Sequence, residues 1–206
     1  MECECGYTYE PGYPVDEVFH SKIHSEYLYG PEIPAIRMLT PSVAETSLPI
    51  YIIDETCPEE IRRDIAYVAR VAWHSMQHFP VGYDGSITDE EPRVYLAADG
   101  DNIVAMVLTS FDNRFWRLAW KSDGSFSLLD NIASTRRKPK IARVWTAAHY
   151  RRRGLASLLI QTASRHFPAE ISDFGWELPF TSNGSCLVKR LCSDIFWGCC
   201  DPSTLR

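Results

Sequence analysis

With 206 residues, 45% of them hydrophobic, the chain can bury one sizeable core and carry a small appendage. Its formal net charge of −6 and its single dense basic cluster argue against non-specific nucleic-acid binding and fit a cationic partner such as an amine. No apolar run approaches the roughly 20 residues of a membrane span, and Met1-Glu2-Cys3-Glu4-Cys5 is no secretory signal, so the chain is expected to be intracellular, in the cytoplasm or, in a eukaryote, the nucleus.

The cysteines, Cys3, Cys5, Cys57, Cys186, Cys192, Cys199 and Cys200, are odd in number and unevenly spread, which argues against a disulfide framework and for free thiols plus a metal site. After Cys3 and Cys5 a turn-rich stretch leads to His20 and His24. A His pair at i and i+4 lies on one face of a short helix, and two thiolates complete a tetrahedral set suited to zinc. Metal would supply the folding free energy that so short a segment cannot gain by burial. The CxC spacing departs from the usual CxxC, and the alternative is an unpaired tail with incidental Cys and His. Cys5, Gly6 and Tyr9, then Asp16 ahead of His20 and His24, resemble the CCHH finger of the sister-chromatid cohesion acetyltransferases, which precedes an acetyltransferase domain. The resemblance implies a structural zinc on Cys3, Cys5, His20 and His24.

Pro31, Pro34 and Pro41, with little periodicity between them, mark an irregular linker. Ile50 to Ile53 reads as a strand. Thr56-x-x-Glu59 reads as a capping box, and apolar residues at 61, 65, 68, 72 and 76 give the buried stripe of a helix running to about Met76. His74 and His78 lack a third ligand at a suitable distance and read as packing or polar histidines. The loop that follows carries Asp84, Asp89, Glu90 and Glu91, which would attract a cation. Arg93–Ala98 and Asn102–Phe111 flank Asp99-Gly100-Asp101, a hairpin signal. Phe115–Lys121 is expected to extend this hairpin into an antiparallel meander leading to the strand at Ile141, with 122–139 a surface excursion.

Ile141 to Ala147 reads as a strand, Arg151-Arg152-Arg153-Gly154 as a cationic turn, and Leu155, Leu158, Leu159 and Thr162 as a helix face. The first turn of a helix leaves backbone N–H groups unpaired at the positive end of its dipole, so this order builds an anion site. The arginines would repel one another there without an anion. Arg151-x-x-Gly154-x-Ala156 after a strand resembles the acetyl-CoA pyrophosphate loop of the GCN5-related N-acetyltransferases. The resemblance implies that family's α/β fold, a mixed and mostly antiparallel sheet flanked by helices, with acetyl-CoA as co-substrate. The expected organisation is a finger-like segment over 1–30, a linker over 31–48 and an acetyltransferase domain over 49–206.

A strand from about Phe174 to Phe180, a helix from Asn183 to about Cys192 and a last strand from Ile195 follow. The resemblance to the cohesion acetyltransferases continues here, through Arg143, Trp145, Arg151, Arg152, Ala156 and Ser157, then Thr181, Gly184 and Cys192. Acetyl transfer to an amine needs a polarised thioester carbonyl, a deprotonated amine and a departing thiolate. Backbone N–H groups of Val144, Trp145 and Thr146, in a bulged strand, are the expected polarisers. Arg151, Arg152, Arg153, Gly154, Leu155, Ala156 and Asn183 complete the expected cofactor contacts. Where the cohesion family has a basic aspartate this chain has Pro179. Glu177, on the same strand face two residues earlier, is the candidate base. The family's tyrosine acid falls near Arg190, leaving Ser185 and Cys192 as candidate thiolate protonators. The implied function is N-acetylation of a primary amine, a protein lysine or a small cationic molecule, by direct transfer in a ternary complex. The alternative is an acyltransferase fold that binds CoA or a protein without turnover.

Overall fold

The computed structural model describes residues 1–43, 47–76, 92–129, 133–167, 169–178 and 180–199, with the side chains of 73–76 excepted. Among them one sheet holds β1 (Ile50–Ile53), β2 (Arg93–Asp99), β3 (Asn102–Asp112), β4 (Trp116–Trp120), β5 (Phe126–Leu128), β6 (Lys138–Thr146), β7 (Gly175–Glu177) and β8 (Ile195–Cys199), in the order β1-β2-β3-β6-β7-β8-β4-β5. The helices are α1 (Pro14–Tyr29), α2 (Glu59–Met76), α3 (Leu155–His166) and α4 (Ser182–Cys192). β6, β7 and β8 run parallel and the other pairings are antiparallel, the mixed sheet expected.

Apolar stripes decide which helix covers which face. Ile61, Ile65, Val68 and Ala72 of α2 are buried against Leu96, Met106 and Trp145. Leu155, Leu159, Ile160 and Ala163 of α3 are buried on the opposite face against Tyr95, Val107 and Ile141. Truncating one such residue, Ile65→Ala for example, is expected to cost about 2–5 kcal/mol. Thr162, 1% exposed, is tolerated inside because its hydroxyl donates to the Leu158 carbonyl at 3.0 Å. Thr56 departs from the capping-box expectation. Its N–H and hydroxyl both donate to the Asp54 carboxylate, at 2.9 and 2.6 Å, one turn before the helix starts.

The meander expectation fails at β4. Both edges of β3 are taken, by β2 and by β6, so the chain crosses to the far end of the sheet, where β4 pairs with β8 and β5. Adjacency of consecutive strands is only a tendency, and here aromatic packing outweighs it. Trp120 stacks on Phe196 at 5.0 Å and meets Phe126 edge-on at 5.5 Å. The expected excursion over 122–139 therefore contains a strand, β5, and β6 begins at Lys138.

The N-terminal region is fastened to this core. Ile33 and Ile36 join the α2-side core, and Tyr67 of α2 donates to Glu26 of α1 at 2.6 Å. At the end of α1 Gly30 has φ 88, and a Cβ there would lie 2.0 Å from the Ile103 carbonyl oxygen, so only glycine fits. No helix is long and apolar enough to cross a membrane among the described residues.

Candidate active site and metal centre

The four expected metal ligands come together. A hairpin-like turn, with Cys3 N–H bonded to Tyr7 O and Gly6 N–H to Cys3 O, presents both thiols beside α1. The ligand atoms of Cys3, Cys5, His20 and His24 lie within 4.8 Å of one another, and Cys3 Sγ is 3.2 Å from His24 Nδ1. Tyr9 stacks on the His20 ring at 3.9 Å. The His20 Nε2 is buried without a hydrogen-bond partner, and Cys5 is 1% exposed. An orphaned imidazole nitrogen among two thiols and a second imidazole is the donor set that zinc takes, so these residues fit the metal.

The loop expected to hold the cofactor is built by backbone conformation. After β6 a short turn over 148–150 leads to Arg152 at φ 64 and Gly154 at φ 82, both left-handed. Gly154 is the N-cap of α3, no side chain caps this end, and no acidic residue lies in its first turn. The first-turn N–H groups, with the helix dipole behind them, therefore face a cationic surface ready for an anion. The arginines divide the work. Arg152 reaches Asn183 Oδ1 at 3.3 Å, bringing two expected cofactor residues together, and the Arg153 guanidinium lies 5.0 Å from the Tyr150 ring. Arg151 instead commits Nε to the Thr146 carbonyl at 3.0 Å and Nη1 to the Tyr27 hydroxyl at 3.1 Å.

The sheet comes apart between β6 and β7. β6 pairs with β7 only at Lys140 with Gly175 and Ile141 with Trp176, while Glu177 pairs with Cys199 on the other side. Beyond Ile141 the β7-facing edge of β6 has no strand partner among the described residues. A bulge lies at the same place, since Leu108 pairs with Arg143 and Thr109 with Ile141, leaving Ala142 as the extra residue. Ile141 and Trp145 would share a face in an unbroken strand, yet they pack in opposite cores. The bulge is thus two residues before Val144. The stretch expected to polarise a carbonyl follows it, with Val144, Trp145 and Thr146 still paired to β3 and only the β7-facing edge open, and Trp145 is itself 3% exposed in the α2-side core.

A charged network lies beside this bulge, on the α2 side of the sheet. Arg143 Nη1 donates to Glu177 Oε1 at 2.6 Å, Lys140 Nζ is 3.6 Å from Glu177 Oε2, and Lys140 also donates to Asp112 Oδ2 at 3.1 Å. Cys199 Sγ donates to the same Asp112 oxygen at 3.0 Å. Burial would lower the Lys140 ammonium, but Glu177, Cys199 and Asp112 outweigh it and hold it above its ordinary value. Burial would raise Asp112, but its bonds from Cys199 and Lys140 hold it below. Burial, with the Asp112 bond second, pushes Cys199 up to about 12.

The sequence located Glu177 but not its partners Asp112, Lys140 and Cys199. The available signal was Lys140 together with Arg143, two cations flanking apolar Ile141 and Ala142 within one strand. Ser185 is half-buried on α4, whose N-cap Thr181 accepts from Gly184 N–H at 3.1 Å. Cys192, 4% exposed, lies in the α3-side core, where burial pushes its thiol up to about 11. Pro179, His78 and the acidic positions 84, 89, 90 and 91 lie outside the described residues, as does the side chain of His74.

Comparison with known proteins agrees with this geometry. The sequence profile of the acetyltransferase (GNAT) family matches residues 50–174. The xEco2 acetyltransferase domain bound to a CoA conjugate superposes with a TM-score of 0.59 at 17% identity, over 77% of this chain and 96% of that one. A second structure of the xEco2 acetyltransferase domain gives 0.57 at 17% identity, over 77% and 94%. At that identity the likeness is one of fold. No curated protein matches in sequence.

Proposed function

The chain belongs to the acetyltransferase (GNAT) family, and from that premise we propose that it transfers an acetyl group from acetyl-CoA to a primary amine, directly, in a ternary complex. One observation carries the reading: the bulge at Ala142, the parting of β6 from β7 and the left-handed loop at Gly154 follow one another along a single strand, loop and helix. The pyrophosphate would rest on the first turn of α3 and on Arg152 and Arg153, with Asn183 orienting Arg152. The pantetheine arm would run along the open edge of β6, past Thr146, Trp145 and Val144. The thioester carbonyl would accept from backbone N–H groups on that β7-facing edge, where β6 has parted from β7.

The charged network supplies the chemistry for the amine. Arg143 and Lys140 disfavour an adjacent ammonium by like charge, while Glu177 beside them accepts the proton it loses. The neutral amine then attacks the thioester carbon, the tetrahedral oxyanion collapses, and the C–S bond breaks to release CoA thiolate. Ser185, the more exposed of the two candidate relays, would pass to the thiolate the second proton that the attacking nitrogen loses as the amide forms, its own hydroxyl being restored in the same transfer, whereas the burial of Cys192 suits packing. The acceptor class is a primary amine, a protein lysine or a small cationic molecule. The xEco2 domain, solved with a CoA conjugate, supports a site of this shape.

Steady-state pH profiles test the assignment. Glu177→Gln should lower kcat by about a hundredfold or more while acetyl-CoA affinity holds, and Arg143→Gln should move the rising limb of kcat/KM to higher pH. Unchanged profiles in both variants would remove Glu177 and Arg143 from the reaction. The second reading, binding without turnover, is favoured by the two cations already holding Glu177. Acetyl-CoA binding with no amine-stimulated thiol release would establish it.

A further inference from the structure

Arg151 opens the cofactor loop, yet its side chain lies against the N-terminal metal-binding unit. Besides the bonds to Thr146 and to the Tyr27 hydroxyl, its guanidinium carbon is 4.9 Å from the centre of the Tyr27 ring. Tyr27 is separated from Arg151 by 124 positions in sequence and is 8% exposed. It makes a rigid point of attachment. The next turn of α1 is jammed against β3 at Gly30, whose carbonyl accepts from the Asn102 side chain at 2.9 Å. Glu26, one residue before Tyr27, is tied to α2 through Tyr67. Tyr29 meets His149 of the turn before the loop at 4.6 Å, and the metal ligand His24 lies 6.3 Å from Tyr27, ring to ring.

The loop needs such an anchor. Arg152 follows Arg151 directly and is left-handed, a conformation a non-glycine residue keeps only when its surroundings impose it. The Arg151 side chain fixes the preceding residue from two sides, the end of β6 and α1.

The geometry points to Tyr27 as a positioning residue for the cofactor, acting through Arg151 to hold the 151–154 loop in its anion-binding shape; the inference rests on the acetyl-CoA reading above. It makes the metal-binding unit part of the cofactor site without any contact to the cofactor.

Tyr27→Phe removes the hydroxyl and keeps the ring under Arg151, so the variant folds with its metal unit intact. In ligand-free protein the amides of 150–154 should exchange faster than in wild type. Acetyl-CoA should bind about threefold or more weakly, with a raised KM for acetyl-CoA and an unchanged kcat at saturation. In an Arg151→Ala background the same substitution should have no further effect on either readout. Wild-type exchange and affinity in Tyr27→Phe, or an equal loss in the Arg151→Ala background, would overturn the inference. Wild-type protein that binds no acetyl-CoA refutes the cofactor reading and the cofactor role of Tyr27 with it. The exchange rates decide the clasp between Tyr27 and Arg151 independently of that outcome.

Discussion

Substitution of Gly154 isolates the backbone's share of cofactor binding. Gly154 sits at φ 82 as the N-cap of α3, and a Cβ added there meets nothing within 4 Å. Gly154→Ala therefore carries no clash, and its whole cost is the left-handed conformation, about 1–2 kcal/mol for an ordinary residue. That cost must surface in one of two places. If the loop keeps its shape, the folded state loses the full amount, and Tm drops by about 2–8 °C in a chain of this size. If the loop relaxes to a right-handed conformation, Tm holds, the first-turn N–H groups are re-aimed, and the acetyl-CoA Kd rises about 5–30-fold. Scanning calorimetry and titration calorimetry on the same preparation read both terms. Gly154→Asn is the control, because asparagine tolerates the left-handed region and should fall between glycine and alanine. Unchanged Tm together with unchanged affinity in Gly154→Ala would refute the claim that a left-handed loop cradles the cofactor.

Three further outcomes are expected. Elemental analysis should find about one zinc per chain, and chelation or His20→Asn should lower Tm, because the four converging donors have little apolar burial to replace the metal; a metal-free protein with an unshifted melting curve would contradict the site. At pH 8 a thiol reagent should label exposed Cys186 rapidly and Cys199 slowly, since a group pushed up to about 12 is ionised in about one molecule in ten thousand; equal rates would contradict the Asp112–Cys199 bond. The Asp112 carboxyl is depressed below 3.8, so its stabilisation is complete above that ordinary value and is lost as pH falls through the lower folded one. Lys140 is raised above 10.5, so its share is complete below that value and is lost as pH rises through the higher folded one. The stability difference between wild type and Asp112→Asn, followed by denaturant titration, should therefore shrink below pH 3.8, and a difference independent of pH would count against the network.

What could be read from the sequence was local. The stripe of α2, the Asp99-Gly100-Asp101 turn between β2 and β3, and the order of β6, loop and α3 each rest on residues a few positions apart. The convergence of Cys3, Cys5, His20 and His24 was legible for the same reason, two short spacings joined by one turn. The place of β4 was not legible. It depends on rings from 120, 126, 180 and 196 meeting across the sheet, and on β6 taking the edge of β3 that β4 would have used. The bulge at Ala142 was expected in kind and found two residues early, because a register shift is a relation between two strands and leaves little mark on one. Arg151 illustrates the same limit within the site. Its position in a motif suggested a phosphate contact, while its donors go to Thr146 and to Tyr27, a partner no local pattern could name.

Acetyl transfer to an amine is the reaction proposed for this site. Purified protein, acetyl-CoA and a panel of lysine peptides, polyamines and aminoglycosides, with CoA thiol release followed alongside mass spectra of the amines, tests it most directly. Amine-dependent thiol release matched by an acetylated member of the panel, and lost in Glu177→Gln, is the predicted result. Saturable acetyl-CoA binding without amine-stimulated release, for every amine in the panel, would contradict it.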